Sequence, residues 1–296
     1  MLCTGAICSM NSMDKTVQCK RPRREVVGIV PAGGKATRLA PLPCSKELLP
    51  VGFNYGDNGC TFRPKVISQY LLESMRLANI KKTFIVLRDG KWDIPSYFGD
   101  GKMLDMHLAY LMMDLPFGVP YTLDQAYPFI ANAIVALGFP DMIFKPENAF
   151  VNILTKQEES NADIVLGLFP AFRPHKTDMV ELDDNGRVCS IQIKPDHTNL
   201  TYAWEIAVWT PVFSHFMHDY LLSLQKVDRE KENDAQIVEQ AELQISQVVQ
   251  AAIQHNLKIE TVVFKDGSCL DIGTPEDLLK AVQTAHKIEK DFIRKV

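Results

Sequence analysis

Residues 26–51 read VVGIVPAGGKATRLAPLPCSKELLPV, and their reading decides the fold. An apolar run, Val26–Pro31, stops at the glycine pair Gly33 and Gly34, and the cations Lys35 and Arg38 follow at once. A proline-rich loop then delivers Lys46 into the turn before a second apolar run. Without side chains, Gly33 and Gly34 let backbone N–H groups close around phosphate oxygens. Arg38 and Lys46 add fixed positive charge to the same place. The stretch is neither a Walker A sequence nor a dinucleotide G-x-G-x-x-G. A tight turn alone would account for the two glycines; the nearby cations are what point to a triphosphate.

Outward from this stretch, strand-like runs alternate with helical patterns. Further strands are expected at 83–87, 164–169 and 206–209, each short and bounded by Gly, Pro or charged residues. Between the first two strands, Val66, Ile67, Tyr70, Leu71, Met75 and Ala78 share one helical face. Strand–helix–strand of this length implies a right-handed crossover. The fold class is therefore α/β, a Rossmann-like, mostly parallel central sheet flanked by helices. In such sheets ligands sit beyond the carboxyl ends of the strands, where the glycine loop falls.

Residues 179–182 and 187–193, joined by Asp183-Asp184-Asn185-Gly186, read as an antiparallel hairpin. We expect it to lie over the sheet as a lid-like insertion carrying Lys194 at its end. The run KVDREKEND at 226–234 has no core face and reads as a charged linker. A helix follows through Val238, Ala241, Ile245, Val248, Val249 and Ala252, then a strand at 259–264. Thr274 as N-cap, Pro275 at the first helical position and the acids Glu276 and Asp277 start a final helix.

Length and composition bound the rest. A chain of 296 residues holds one large core or two modest ones. Residues 1–24 read as a disordered leader without signal-peptide order, and 25–296 as a single catalytic domain. With 32 basic against 36 acidic residues, the balance points to no nucleic-acid or membrane partner, so any anion site is a local concentration of basic groups. No run approaches the roughly 18–20 apolar residues of a membrane span. The seven scattered cysteines form no C-x-x-C pair, which fits free thiols in a reducing cytoplasm.

Other residues carry possible chemistry. Asp141, in GFPDMIF, and Asp271, in SCLDIGTPED, stand at the ends of apolar runs. Singly each reads as a loop or capping residue; on one rim together they suit Mg²⁺, a hard ion satisfied by one or two carboxylates plus phosphate oxygens and water. Lys194 offers a charge for a second phosphate, though on spacing alone a solvated surface lysine is the better reading. The Gln125 amide offers a base edge both a donor and an acceptor. No serine or cysteine has the context of an activated nucleophile.

These residues make the chain recognisable. It resembles the sugar-phosphate nucleotidyltransferases, in particular glucose-1-phosphate thymidylyltransferases and uridylyltransferases, over roughly residues 25–285. The family opening G-G-x-G-T-R-L-x-P stands here at 33–41 as GGKATRLAP, and its P/S-K-x-L-L-P at 45–50 as SKELLP. Arg63-Pro64-Lys65, Phe98-Gly99-Asp100-Gly101, Asp141, Lys194-Pro195 and Asp271-Ile272-Gly273-Thr274-Pro275 follow in family order.

The resemblance implies attack by a sugar-1-phosphate on the α-phosphate of a nucleoside triphosphate, dTTP or UTP, with pyrophosphate leaving. It implies Arg38 and Lys46 as the catalytic cations, with Ala32, Gly33, Gly34, Lys35, Thr37 and Gln125 on the nucleotide. Lys194 falls to the sugar phosphate, and Asp141 and Asp271 to Mg²⁺. It also suggests a homo-oligomer, although no stripe marks an interface.

The departures are specific. Ala36 replaces the third glycine, and Tyr127–Asn132 replaces the family's segment after the base-reading glutamine. Ile193 precedes Lys194 where the family has an acid, Thr177-Asp178-Met179 stands for its Y-G-V, and Gln244-Ile245-Ser246-Gln247 for its E-I-T-D. Glu205, in AWEIAVW, offers a substitute carboxylate for a sugar hydroxyl. Two other functions stay open on this basis: a weakly catalytic sugar-nucleotide-binding regulatory relative, and transfer to a non-sugar phosphate such as phosphocholine.

Overall fold

A computed structural model describes residues 24–55, 62–113, 118–231 and 242–293. The leader before Arg24 and the helical residues Val238 and Ala241 lie outside them.

Strand β1 (Val26–Pro31) forms where expected. Beyond the glycine loop, a 3-10 turn at Lys46–Leu48 leads into the antiparallel pair β2 (Pro50–Tyr55) and β3 (Phe62–Val66). Helix α1 (Ile67–Leu77) buries Ile67, Leu71 and Met75 on one stripe. Val66 precedes it as the last residue of β3, and Ala78 caps it. Then come β4 (Lys82–Arg88), α2 (Asp93–Phe98), β5 (His107–Met113), α3 (Val119–Asp124) and α4 (Tyr127–Ile130). Next are β6 (Ile134–Leu137), β7 (Met142–Lys145), α5 (Ala149–Ser160) and β8 (Ile164–Pro170).

The hairpin forms as β9 (Asp178–Leu182) and β10 (Val188–Ile193). It does not lie over the sheet: β9 hydrogen-bonds to β11 (Tyr202–Trp209) and so extends the sheet. The expected charged linker is also partly helical, because α6 (Pro211–Lys231) runs through its first six residues. Its Lys, Arg and Glu residues are good helix formers, so backbone propensity favours helix where no apolar stripe does. Helix α7 (Ile245–Gln254), β12 (Ile259–Val263), β13 (Ser268–Asp271) and α8 (Pro275–Ile293) complete the chain.

Strands β6-β1-β4-β5 run parallel and form the centre of the sheet. Strand β11 joins β6 antiparallel and carries β8, which pairs in parallel with β12. Both faces are covered. Val27 and Ile29 pack in one core with Leu123, Trp209, Phe213 and Val248, while Val30 packs in the other with Leu71, Met75 and Phe150. That period of two, with both faces buried, is why the strands read as nearly continuous apolar runs.

Loops leaving β1, β4 and β6 all emerge at the carboxyl rim, the place where an α/β sheet presents its ligand site. Two small pairs finish this rim: β13 with β7, and β2 with β3, on which α8 packs. Among the described residues, no helix is long and apolar enough to cross a membrane.

Candidate active site

The short pair β7–β13 assembles the centre of the site. Met142 pairs with Asp271, and the Ile272 N–H donates to the Asp141 carbonyl at 2.9 Å. Two aspartates 130 positions apart in the chain are thereby set side by side. Lys46 closes the group from the β1 side, its Nζ donating to Asp141 Oδ2, and both side chains are largely buried. Burial pulls the Lys46 pKa down, but Asp141, with Glu47 and Asp271, outweighs it and holds the ammonium above the ordinary lysine value. Lys46 is therefore a fixed cation across the physiological range.

Arg38 reaches the same cluster. A Cβ on Gly273 would lie 2.9 Å from an Arg38 guanidinium nitrogen and 3.2 Å from Asp271 Oδ2. The missing side chain at 273 thus makes room for the guanidinium beside the carboxylate. On the other side, a Cβ on Gly34 would lie 4.0 Å from Lys46 Nζ. Burial, with Asp141 adding to it, raises the Asp271 pKa to about 6 against the pull of Lys46 and Arg38. Two cations face two carboxylates there, and burial is the main reason that the Asp271 charge remains costly.

The turn carrying Lys46 is held from below. Ser45 donates to Asp93 from both its N–H and its hydroxyl, each at 2.6 Å. Ser68 Oγ donates to the Glu47 carbonyl at 2.7 Å. Glu47 itself turns inward and pairs with Lys91, with side-chain exposures of 1% and 5%. Burial, offset in part by Glu47, lowers the Lys91 pKa. Sequence reading missed Lys91, because an isolated lysine after a strand reads as solvated.

Ala36 has φ of +53°, the left-handed region that a glycine enters freely. The Leu39 and Ala40 N–H groups both bond its carbonyl, which closes the turn that projects Arg38. Strain at this alanine, rather than crowding of a phosphate, is what the departure from glycine costs. Ala36→Gly is expected to stabilise the protein by about 0.5–1 kcal/mol in urea denaturation. A loss of stability would show that the methyl group contributes packing instead.

Glu205 joins the acidic side of the cluster. It is the extra residue of a β-bulge, since β8 pairs Leu168 with Trp204 and then Gly167 with Ile206. Burial raises its pKa to about 8, with Asp271, Asp178 and Asp141 adding to the rise. A carboxyl raised in this way stabilises the fold fully below its ordinary value of 4.5 and loses that contribution as pH rises to about 8. Metal-free protein should therefore lose stability across that interval, and Glu205→Gln should flatten the curve there. Thermal melts from pH 4.5 to 8.5 read this; parallel curves for the two proteins would contradict it.

The remaining expected residues are not drawn into this cluster. Gln125 is exposed at the end of α3, with its amide 3.5 Å from the Tyr121 carbonyl. Lys194 is exposed beyond β10 at φ +44°, with Nζ 3.5 Å from Gln244 Oε1. Lys35 and Thr37 are exposed on the loop, Gly33 and Ala32 buried beneath it.

A family profile described as nucleotidyl transferase fits residues 27–288. The chain belongs to the nucleotidyl transferase family. Within it, the chain falls among the sugar-phosphate nucleotidyltransferases. It is 24% identical over 261 residues to a low-salt glycan biosynthesis nucleotidyltransferase of Haloferax volcanii, covering 86% of this chain and 65% of that protein. It thus spans just under two thirds of that relative's length.

Glucose-1-phosphate thymidylyltransferases of Mycolicibacterium smegmatis and Neisseria gonorrhoeae are each 26% identical, covering 88% of this chain and 83% and 84% of theirs. A Bacillus anthracis protein assigned as a glucose-1-phosphate thymidylyltransferase and solved with sucrose shares the fold, at TM-score 0.69 and 19% identity. That match covers 88% of this nucleotidyltransferase and 95% of the solved chain.

Proposed function

We propose that this nucleotidyltransferase joins a nucleoside triphosphate to a sugar-1-phosphate, giving a sugar nucleotide and pyrophosphate. The observation that carries this reading is the meeting of Arg38 and Lys46 with Asp141 and Asp271 at the carboxyl rim of the sheet. A phosphate oxygen of the sugar-1-phosphate forms a bond to the α-phosphorus as the α–β bond breaks, and pyrophosphate carries the electron pair away. Such an in-line displacement needs little covalent chemistry from the protein; positioning and charge neutralisation do most of it.

In this reading Arg38 and Lys46 neutralise the triphosphate, and the loop over Ala32–Thr37 offers it backbone donors. Gln125 faces the base of dTTP or UTP, and Lys194 the acceptor's phosphate. Asp141 and Asp271 would hold Mg²⁺. The fit rests on the donors themselves: two adjacent carboxylates, one of them held well above its ordinary pKa by burial and by the other, form a hard-oxygen pair. Bound there, Mg²⁺ would supply positive charge to offset that of the triphosphate.

Pyrophosphate release across the common triphosphates and a panel of sugar-1-phosphates and phosphocholine, with Mg²⁺ present, tests the proposal. Release with a triphosphate and a sugar-1-phosphate is expected. Tight binding of a sugar nucleotide without turnover in any pairing would favour a regulatory role instead.

A further inference from the structure

Beyond the phosphate end, the site wall turns acidic in a way that phosphate binding does not explain. Strand register places the residues. Ile193 pairs with Asp178 across β10–β9, so Lys194 stands beside Asp178 in the chain path. Met179 pairs with Ala203 across β9–β11, which brings Asp178 to the Trp204–Glu205 bulge.

The Trp204 indole N–H donates to Ser246 Oγ at 2.8 Å, and Ser246 Oγ in turn donates to Asp178 Oδ2. The hydroxyl has spent its hydrogen there, and the carboxylate is fixed in orientation. Its other oxygen, Oδ1, is buried with no hydrogen-bond partner. Glu205, only 8% exposed, has neither a hydrogen bond nor an ion pair among the described residues. Asp178 adds to the cost of charging Glu205, and among the described residues no lysine or arginine is paired with either.

Among the described residues, no three of His, Cys, Asp and Glu stand where they could share a metal ion. Mg²⁺ at Asp141 and Asp271 would leave Asp178 Oδ1 and Glu205 unmatched. Buried acceptors without donors are costly, and the Glu205 carboxyl, which burial and the neighbouring acids keep protonated up to about pH 8, gives up its proton readily only to a partner that brings positive charge. A partner that brings both N–H donors and positive charge satisfies Asp178 Oδ1 and Glu205 together.

We propose that the acceptor is an amino-sugar phosphate: its phosphate faces Lys194, and its protonated primary amine donates to Asp178 and Glu205. This rests on the nucleotidyl-transfer reading above. A primary ammonium carries three donors and one positive charge, matching the two open acceptors. A sugar hydroxyl brings one donor and no charge. A quaternary ammonium brings charge and no donor, so it leaves both carboxylates unbonded.

Calorimetry on the full chain, with Mg²⁺ and a non-hydrolysable triphosphate analogue present, compares glucosamine-1-phosphate, glucose-1-phosphate, N-acetylglucosamine-1-phosphate and phosphocholine. At a pH that keeps the amine protonated, glucosamine-1-phosphate should bind at least about tenfold tighter than the other three, one to two charged hydrogen bonds being worth that factor. Glu205→Gln and Asp178→Asn, each checked for folding by its thermal melt, should each erase most of that preference. Equal or weaker binding of the amino sugar, a preference for phosphocholine, or a preference that survives in both variants would overturn the proposal. Amine-selective binding with no pyrophosphate release from any triphosphate would instead overturn the transfer reading and leave this inference standing.

Discussion

Asp271→Asn is expected to lower turnover by about 10²–10³-fold, the scale on which one preorganised electrostatic group acts, and to make the metal-free protein more stable near pH 7. Both effects have one cause. The Asp271 pKa stands at about 6, above its ordinary 3.8, because burial and Asp141 penalise the charge. Its contribution to stability is therefore fully present below about pH 3.8 and is lost as pH rises to about 6. Asparagine never takes on that charge. The variant should gain roughly 1–3 kcal/mol over the parent at pH 7, and the gain should vanish near pH 4.

Initial rates of pyrophosphate release, with thermal melts in chelator at both pH values, measure the two halves. An unchanged rate would remove Asp271 from the catalytic group. A variant less stable than the parent at pH 7 would contradict a carboxylate whose charge burial penalises.

Lys91→Met is expected to cost about 3–5 kcal/mol, because it strands the Glu47 carboxylate in the core. Glu47 is 1% exposed, its Oε2 has no partner, and Lys91 holds its other oxygen. The two residues sit directly under the turn that presents Lys46, so turnover should fall along with stability. The double variant Lys91→Met/Glu47→Leu should recover most of the stability, since an apolar pair of similar volume replaces the ion pair without leaving a charge behind. Urea denaturation of the parent, both single variants and the double variant reads the coupling. A cost below about 1 kcal/mol for Lys91→Met would show that Glu47 finds another partner or takes up a proton.

These two predictions divide along what the sequence could disclose. Arg38, Lys46, Asp141 and Asp271 were legible because each lies in a short local pattern: a strand end, a glycine loop, a helix N-cap. Their meeting was expected only through the family resemblance, because it depends on β7 finding β13 across more than a hundred residues, a register that no local pattern encodes. Strand β1 was read to the residue, since burial on both faces leaves an unbroken apolar run. Strand β11 was read only in its last four residues. The bulge and the acid at Glu205 break its apolar pattern, and its antiparallel course follows from tertiary packing rather than composition.

The hairpin's turn was plain from Asp183–Gly186, but whether a hairpin covers a sheet or extends it is decided by the edge it meets. Ala36 was marked as a departure from sequence alone. Its positive φ, and therefore what the departure costs, required the backbone.

The central claim is that one site brings a triphosphate and a sugar phosphate together for exchange at the α-phosphorus. Phosphorus NMR of the protein mixed with triphosphate, glucosamine-1-phosphate or glucose-1-phosphate, and Mg²⁺ tests it most directly. The account predicts sugar nucleotide and pyrophosphate appearing in equal amounts, and only when both substrates are present. Pyrophosphate release without an acceptor, or no new phosphorus signal with any triphosphate and either sugar phosphate, would contradict it.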